Sequence, residues 1–376
     1  MRLYKGVWIG AILLLTLSGC WDEKDVGEVN FATAIGIDYV DENYILYVQM
    51  MDFANVAKKE GGKQSEDVSL FIGKSLGSTL NEAVTNLYHT SQESINWGQV
   101  GAIIYSESVL KKGIETFEQA INRNGEFRYT PWMFATKEPV EEILGVSGFF
   151  KLPPLYTILY KPENGYRVHS FIKPIRMHKF VSIYKEPGST AVLPSISLDY
   201  DSWKEISTKE DPKKTLKING GFPIVQEKFT KWMSLEELKG LRWIESDTEN
   251  TPVKIIEDEK VIGMVEISRP STNIKQIEEG RSAKFNIELK ATGQLTDLKE
   301  SRSLEEIEQL INHQIEEEIR KTYQIGLDNN TDIYSLRRIL FRNGMKLENV
   351  KDFQLTEETL NEISTTFHLE SKGIYD

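Results

Sequence analysis

The run "SLEEIEQLINHQIEEEIRKTYQ", beginning at Ser303, constrains the fold more than any other stretch. Its apolar residues, Leu304, Ile307, Leu310, Ile311, Ile315, Ile319 and Tyr323, recur at intervals of three and four. That period puts them on one stripe of an α-helix, opposite Glu308, Glu316, Glu317 and Lys321. Ser303 and Glu306 have the spacing of a capping box, which predicts where the helix starts. The triplet Glu316-Glu317-Glu318 reads as a solvated face. A helix with one apolar stripe must bury it against another layer. The β-rich runs Val253–Ile256, Val261–Arg269, Lys284–Thr292 and Ile363–Leu369 supply that layer. The expectation for this half is an antiparallel sheet under a long helix, with a second helix from Asp332 to Asn343 that Gly344 ends.

The first half has a different texture. Val29–Tyr39 and Tyr44–Phe53 are strand-like and joined by Val40-Asp41-Glu42-Asn43, which suggests a hairpin. Ala54–Ser65 reads as a polar loop and Val68–Ile72 as a short strand. Leu80, Ala83, Val84, Leu87 and Tyr88 mark a helix capped by Thr79 and Glu82. Val100–Tyr105 is a buried type of strand. Ser108 is placed to cap a helix carrying Val109, Ile114, Phe117 and Ile121. Tyr129–Ala135 and Pro139–Leu144 follow as strand and short helix. Strands alternating with helices indicate an α/β unit with a mixed sheet.

After Phe149 the pattern changes. Phe149–Pro162 is apolar and broken by prolines, suited either to packing between domains or to a partner-facing patch. Residues 164–185 hold no acid but carry Arg167, Lys173, Arg176, Lys179 and Lys185. Two readings stand for them. Lys173, Arg176 and Lys179, with Arg167, could contact anionic headgroups or an acidic partner; or the segment is an amphipathic helix packed through Phe171, Ile175 and Phe180. Ser207–Lys214 reads as a linker. Beyond it, Ile218–Gln226 and Lys228–Met233 flank a tight turn, and Ser234 with Glu237 cap a helix that ends near Gly240.

The extreme N-terminus is an address. Arg2 and Lys5 precede an apolar run, Val7–Leu17, and small residues then lead to Cys20, the only cysteine. The run falls short of the ~20 apolar residues that cross a bilayer. Leu17-Ser18-Gly19-Cys20 resembles a bacterial lipobox, which implies cleavage between Gly19 and Cys20 and diacylglyceryl and N-acyl lipid on Cys20. A soluble signal peptide and an uncleaved membrane helix are the other readings. Cleavage leaves 357 of the 376 residues, enough for two or three domains. It also removes Arg2, Lys5 and no acid, which takes the net charge from −12 to −14. So acidic a body has no dominant basic face for nucleic acid, and an anionic leaflet repels it on average. Two acyl chains suffice for stable attachment. From Cys20 to Val29 the chain spans at most about 33 Å.

Catalytic patterns are missing. His89, His169, His178, His313 and His368 are scattered, without metal-ligand spacing, so no cofactor is expected. No G-x-S-x-G occurs, and Gly73-Lys74-Ser75 lacks the upstream glycine of a P-loop.

Three stretches carry a family resemblance: "GCWDEKDVGEVNFATAIGID", "GAIIYSESVLKKGIETFEQAINRNGEFRYTPWMFAT" and "GGFPIVQEKFTKWMSLEELKGLRWI". "DIYSLRRILFRN" adds a fourth. The chain resembles the Ger(x)C family, the C-subunit lipoproteins of nutrient germinant receptors in spore-forming bacteria. In that family glycines usually follow the Asp-aromatic pair, where this chain has Ser335 and Leu336 after Tyr334. Likewise a Pro and a Trp usually follow that helix, where this chain reads Gly344-Met345-Lys346-Leu347. The resemblance implies a mixed α+β protein of three domains, each a β-sheet packed with helices. The expected division is a signal peptide over 1–19, a tether over 20–28, an N-terminal α/β domain over 29–148, a middle segment and linker over 149–214, and a C-terminal domain over 215–376. The resemblance further implies a non-enzymatic, lipid-anchored subunit on the outer face of the spore inner membrane, bound to membrane-embedded A and B subunits. The alternative of another class is a solute-binding lipoprotein serving a transporter, which would show two parallel α/β lobes.

Overall fold

The computed structural model describes residues 29–51, 69–114, 127–206 and 211–371. Cys20, the Ala54–Ser65 loop, Phe117 and Ile121 lie outside them, as does the first half of the Ser207–Lys214 linker.

In chain order, β1 (Val29–Val40), β2 (Asn43–Met51) and β3 (Leu70–Gly77) form an antiparallel meander. The expected hairpin turn is made by Asp41 and Glu42, both at positive φ. Helix α1 (Leu80–Tyr88) follows, capped by Thr79 as expected. Next come β4 (Ser94–Asn96), β5 (Ala102–Ser106), α2 (Glu107–Lys112), β6 (Trp132–Thr136) and α3 (Val140–Leu144). β5 and β6 extend the sheet in parallel on the far side of β1. β5 is buried throughout because its alternate residues enter two cores: Ile103 and Tyr105 face α1 and α2, whereas Ala102 and Ile104 face α3. Gly36, on β1, is required by this second core, since a side chain there would collide with Val140 on α3. The cap of α2 is Ser106, not Ser108; the Ser108 hydroxyl instead donates to Asp38 at 2.7 Å.

Two expected boundaries move. α4 (Pro162–Val168), β7 (Ile175–Arg176) and α5 (Met177–Lys185) lead into β8 (Thr190–Asp199), a strand of the middle segment that lies inside the first sheet beside β6. Apart from a two-residue ribbon, β9 (Lys204–Glu205) with β10 (Asp211–Pro212), the described residues of 149–214 make no sheet of their own. β11 (Thr215–Val225), β12 (Lys228–Phe229) and β13 (Met233–Ser234), placed beyond 215, also complete the first sheet, in the order β12-β11-β8-β6-β5-β1-β2-β3. The cause is burial. β8 is buried over nearly all its length, as an interior strand is, with β11 laddered along one side and β6 touching the other at Ser195. Gly220-Gly221 answers to the same crowding: the β13 backbone crosses at Gly220, and Val192 and Leu238 close over Gly221.

The second lobe begins with α6 (Leu241–Ile244). β14 (Asn250–Glu257), β15 (Lys260–Gln276) and β16 (Phe285–Leu298) are antiparallel, as expected. β17 (Leu360–Ser371) pairs with β16 in parallel, because α7 (Leu304–Asp328), α8 (Leu336–Arg342) and α9 (Leu347–Asp352) intervene and return the chain to the same end. Ser303 and Glu306 form the capping box of α7. Ile307, Ile311, Ile315, Ile319 and Tyr323 are buried on the sheet, whereas Leu304, in the first turn, is exposed.

The polar side of α7 also serves the sheet. The edge N–H groups of Thr365, Phe367 and Leu369 on β17 donate to Glu316, Asn312 and Glu308 at 3.2, 2.8 and 2.8 Å. Four helical residues rise ~6 Å and two strand residues ~6.7 Å, so the two series stay in step. An exposed edge is a template for aggregation, and these side chains occupy it.

Candidate functional site

The basic segment is largely consumed by the junction between the lobes. Lys173, between α4 and β7, lies 2.6 Å from Asp247 and 3.3 Å from Glu245 on the loop after α6. Ser170 donates its backbone N–H to Asn250, and Arg167 approaches Glu249 at 3.8 Å. Arg176 lies over Trp132, 3.8 Å from the ring centre, and donates to the Thr130 carbonyl. Lys179 remains exposed on α5, at the rim of a cleft of ≈ 320 Å³ that also touches Lys173, Arg338 and Glu245. The helical packing reading holds in part, since Phe180 and Ile175 are buried. The four basic residues do not converge on one open surface.

The Lys173 contact makes a pH dependence. Its hydrogen bond holds the Asp247 carboxyl below the usual carboxylate range. On Lys173, burial disfavours the charge, but Glu245 and Asp247 outweigh it and raise the ammonium above its usual range. A lowered acid contributes stability that is present above its unfolded pKa and lost as pH falls through the folded one. Lys173→Ala is expected to cost about 0.5–1 kcal/mol at neutral pH, the range of a solvent-screened pair. The difference from the parent should vanish in acid, as urea unfolding at the two pH values would record.

The junction continues at the other end of α5. Gly188, at φ +73°, sits against the backbone of Arg337 and Arg338. The Thr190 hydroxyl donates to the Asp332 carbonyl at 2.6 Å, and its N–H donates to the Ser335 hydroxyl at 3.0 Å. The Asp332 carboxylate in turn accepts from the N–H groups of Leu336 and Arg337 and starts α8. Burial pushes its carboxyl up, against those two donors and the Arg337 charge. Ser335 has φ +55°, a left-handed conformation that favours glycine; its hydroxyl offers an acceptor that glycine lacks. Arg342 adds an ion pair to Glu186 at 2.6 Å.

The apolar stretch Phe149–Tyr160 divides. Leu159 is buried under the first sheet, and Tyr160 packs over Gly101 and donates to Gln49. This is packing within one lobe, not between the two. Phe149 and Phe150, by contrast, open onto a cleft of ≈ 880 Å³ that is also lined by Leu70, Trp203, Ile206 and Lys213.

Two buried polar groups were not foreseen. Glu318, expected on a solvated face, is 7% exposed and accepts from Nη2 and Nε of Arg242 and from the Trp243 indole N–H. Gln49 links the Thr33 hydroxyl to the Leu144 carbonyl. Among the described residues, no group of three His, Cys, Asp or Glu is placed to hold a metal ion. His178 contacts the Tyr129 carbonyl through Nδ1. No helix of these residues is long and apolar enough to cross a membrane.

The fold is thus a mixed sheet joined through a polar junction to a four-stranded sheet under one long helix. The chain belongs to the spore germination protein family: residues 22–198 match the model "Spore germination protein N-terminal domain", and residues 220–372 match "Spore germination B3/ GerAC like, C-terminal". It is 22% identical over 352 residues to Spore germination protein KC of Bacillus subtilis (strain 168), covering 88% of this chain and 85% of that protein. Spore germination protein B3 of the same organism is 21% identical over 294 residues, 76% of this chain and 72% of that one. The crystal structure of the GerBC protein shares the fold, with a TM-score of 0.54 at 15% identity over 90% of this chain and 97% of that one.

Proposed function

We propose that this chain is the lipid-anchored, non-catalytic subunit of a spore nutrient germinant receptor. Lipid on Cys20 holds it at the outer face of the spore inner membrane, where its lobes bind and stabilise the membrane-embedded A and B subunits. The carrying observation is the placement of the family match. It starts at residue 22, two residues after Cys20, and its two parts cover nearly all of the remaining chain. The junction supports an adhesive role, because it spends the basic residues on internal bonds and keeps the two lobes in a fixed relation. A tether adds affinity through effective concentration, not through new contacts.

The test is Cys20→Ala in the full chain, with membrane fractionation and nutrient-triggered germination as readouts. Germination is expected to weaken, and the A and B subunits to lose co-purification with the variant. Normal germination by a chain released from the membrane overturns the proposal. Titration calorimetry of the parent against amino acids and sugars tests the solute-binding alternative, which requires stoichiometric uptake of one of them.

A further inference from the structure

We infer that the Phe149–Phe150 tip and the Trp203–Ile206 strip form a second membrane contact, seated in the headgroup region of the bilayer; the inference rests on the lipid anchor proposed for Cys20. Phe150 is 94% exposed, Ile206 78% and Trp203 57%, and the Phe149 ring meets Trp203 edge-on at 5.0 Å. These side chains line one cleft, which also takes in Ser147, three residues beyond α3. The tip is held out at a cost. Phe150 and Lys151 are both at positive φ, 54° and 57°, and side-chain-bearing residues lose about 1–2 kcal/mol each in that region. Such outliers persist where surrounding structure holds them, and they cluster at binding sites.

The position of the cleft selects its occupant. Leu70 lines it, and Leu70 pairs with Met51, whose neighbour Met50 faces Ala32 on β1. Strands lie ~4.8 Å apart, so Leu70 is about 10 Å from β1. Val29, where the chain enters from Cys20, is three residues before Ala32. The cleft therefore opens at the tethered end of the sheet, and the tether reaches no more than about 33 Å. Among the described residues, Lys151, Lys204 and Lys213 line it together with Glu205. Aromatic rings beside lysines are the composition of a membrane interface, with apolar groups sunk ~5–10 Å and cations level with anionic headgroups. Lipid on Cys20 fixes one point, and the aromatic tip fixes a second, which orients the body on the bilayer.

The experiment uses the full, lipidated chain carrying Phe150→Cys. Because the Cys20 thiol is alkylated, the introduced thiol alone takes an environment-sensitive fluorophore. Glu259→Cys, in the β14–β15 turn of the other lobe, is the control. Each is reconstituted into vesicles of phosphatidylcholine and phosphatidylglycerol that contain brominated lipid, and floated. The inference expects the label at 150 to shift to the blue and to be quenched several-fold more than the label at 259. A floating chain whose two labels are quenched alike overturns the inference and leaves the anchor standing. A label at 150 that is shielded from aqueous iodide but unquenched by lipid shows a protein segment in the cleft and also overturns it. A chain that does not float overturns the anchor, and this inference with it.

Discussion

Arg242→Met is expected to destabilise the chain by about 3–5 kcal/mol, the range for stranding one partner of a buried ion pair. Arg242 is 2% exposed, and its guanidinium lies 2.7–2.8 Å from the Glu318 oxygens. It also donates to Thr251 Oγ1 and the Pro252 carbonyl on β14, and it stacks over Phe171 from the segment between the lobes. Removing it leaves the Glu318 charge under the long helix with, among the described residues, the Trp243 and Gln314 donors. The double variant Arg242→Met with Glu318→Met should recover much of the loss, because an apolar pair of similar volume is often no worse than a buried ion pair. Urea unfolding of the two single variants and the double completes the cycle. Additive losses would show that the two charges are not coupled.

The same pair shows where the sequence was legible. The helix over 304–328 follows from its apolar period, and so does its capping box. In the sequence Glu318 reads as solvated because it sits in a run of three glutamates. Yet it lies three residues after Ile315, on the apolar stripe, while Glu317 points away. Reading each glutamate against the stripe would have separated them, and an acid on that stripe demands a buried cation. β8 was harder to find. Pro194 in "TAVLPSISLD" argues against a central strand, since proline gives no ladder N–H. Here the ladder to β6 is the single pair Ala135–Ser195, so little pairing is forfeited. The edge cover of β17 was beyond reach, because it depends on which helix side chains face which strand N–H groups. The basic segment misled for a related reason. Its partners, Glu245 and Asp247, lie about seventy residues away, and only the fold brings them together.

Gly188→Ala is expected to cost about 1–2 kcal/mol for a side chain in the left-handed region. A further ~1–3 kcal/mol comes from overpacking, because the new Cβ would lie 2.6–2.7 Å from the backbone of Arg337 and Arg338. That backbone belongs to the first turn of α8, which Asp332 caps and which cannot give way without releasing Thr190. The strain therefore falls on the bond between the lobes and not on either core. Gly344→Ala is the matched control: it has φ +93° and nothing within 4 Å, so it should cost only the backbone part. If the lobes act as one body toward their membrane partners, Gly188→Ala should open the Lys185–Ser189 connection to limited proteolysis at temperatures where Gly344→Ala stays resistant. Equal melting temperatures and equal cleavage of the two variants would show that Gly188 is needed for its backbone angle alone, and that the close seat of α8 does not hold the lobes together.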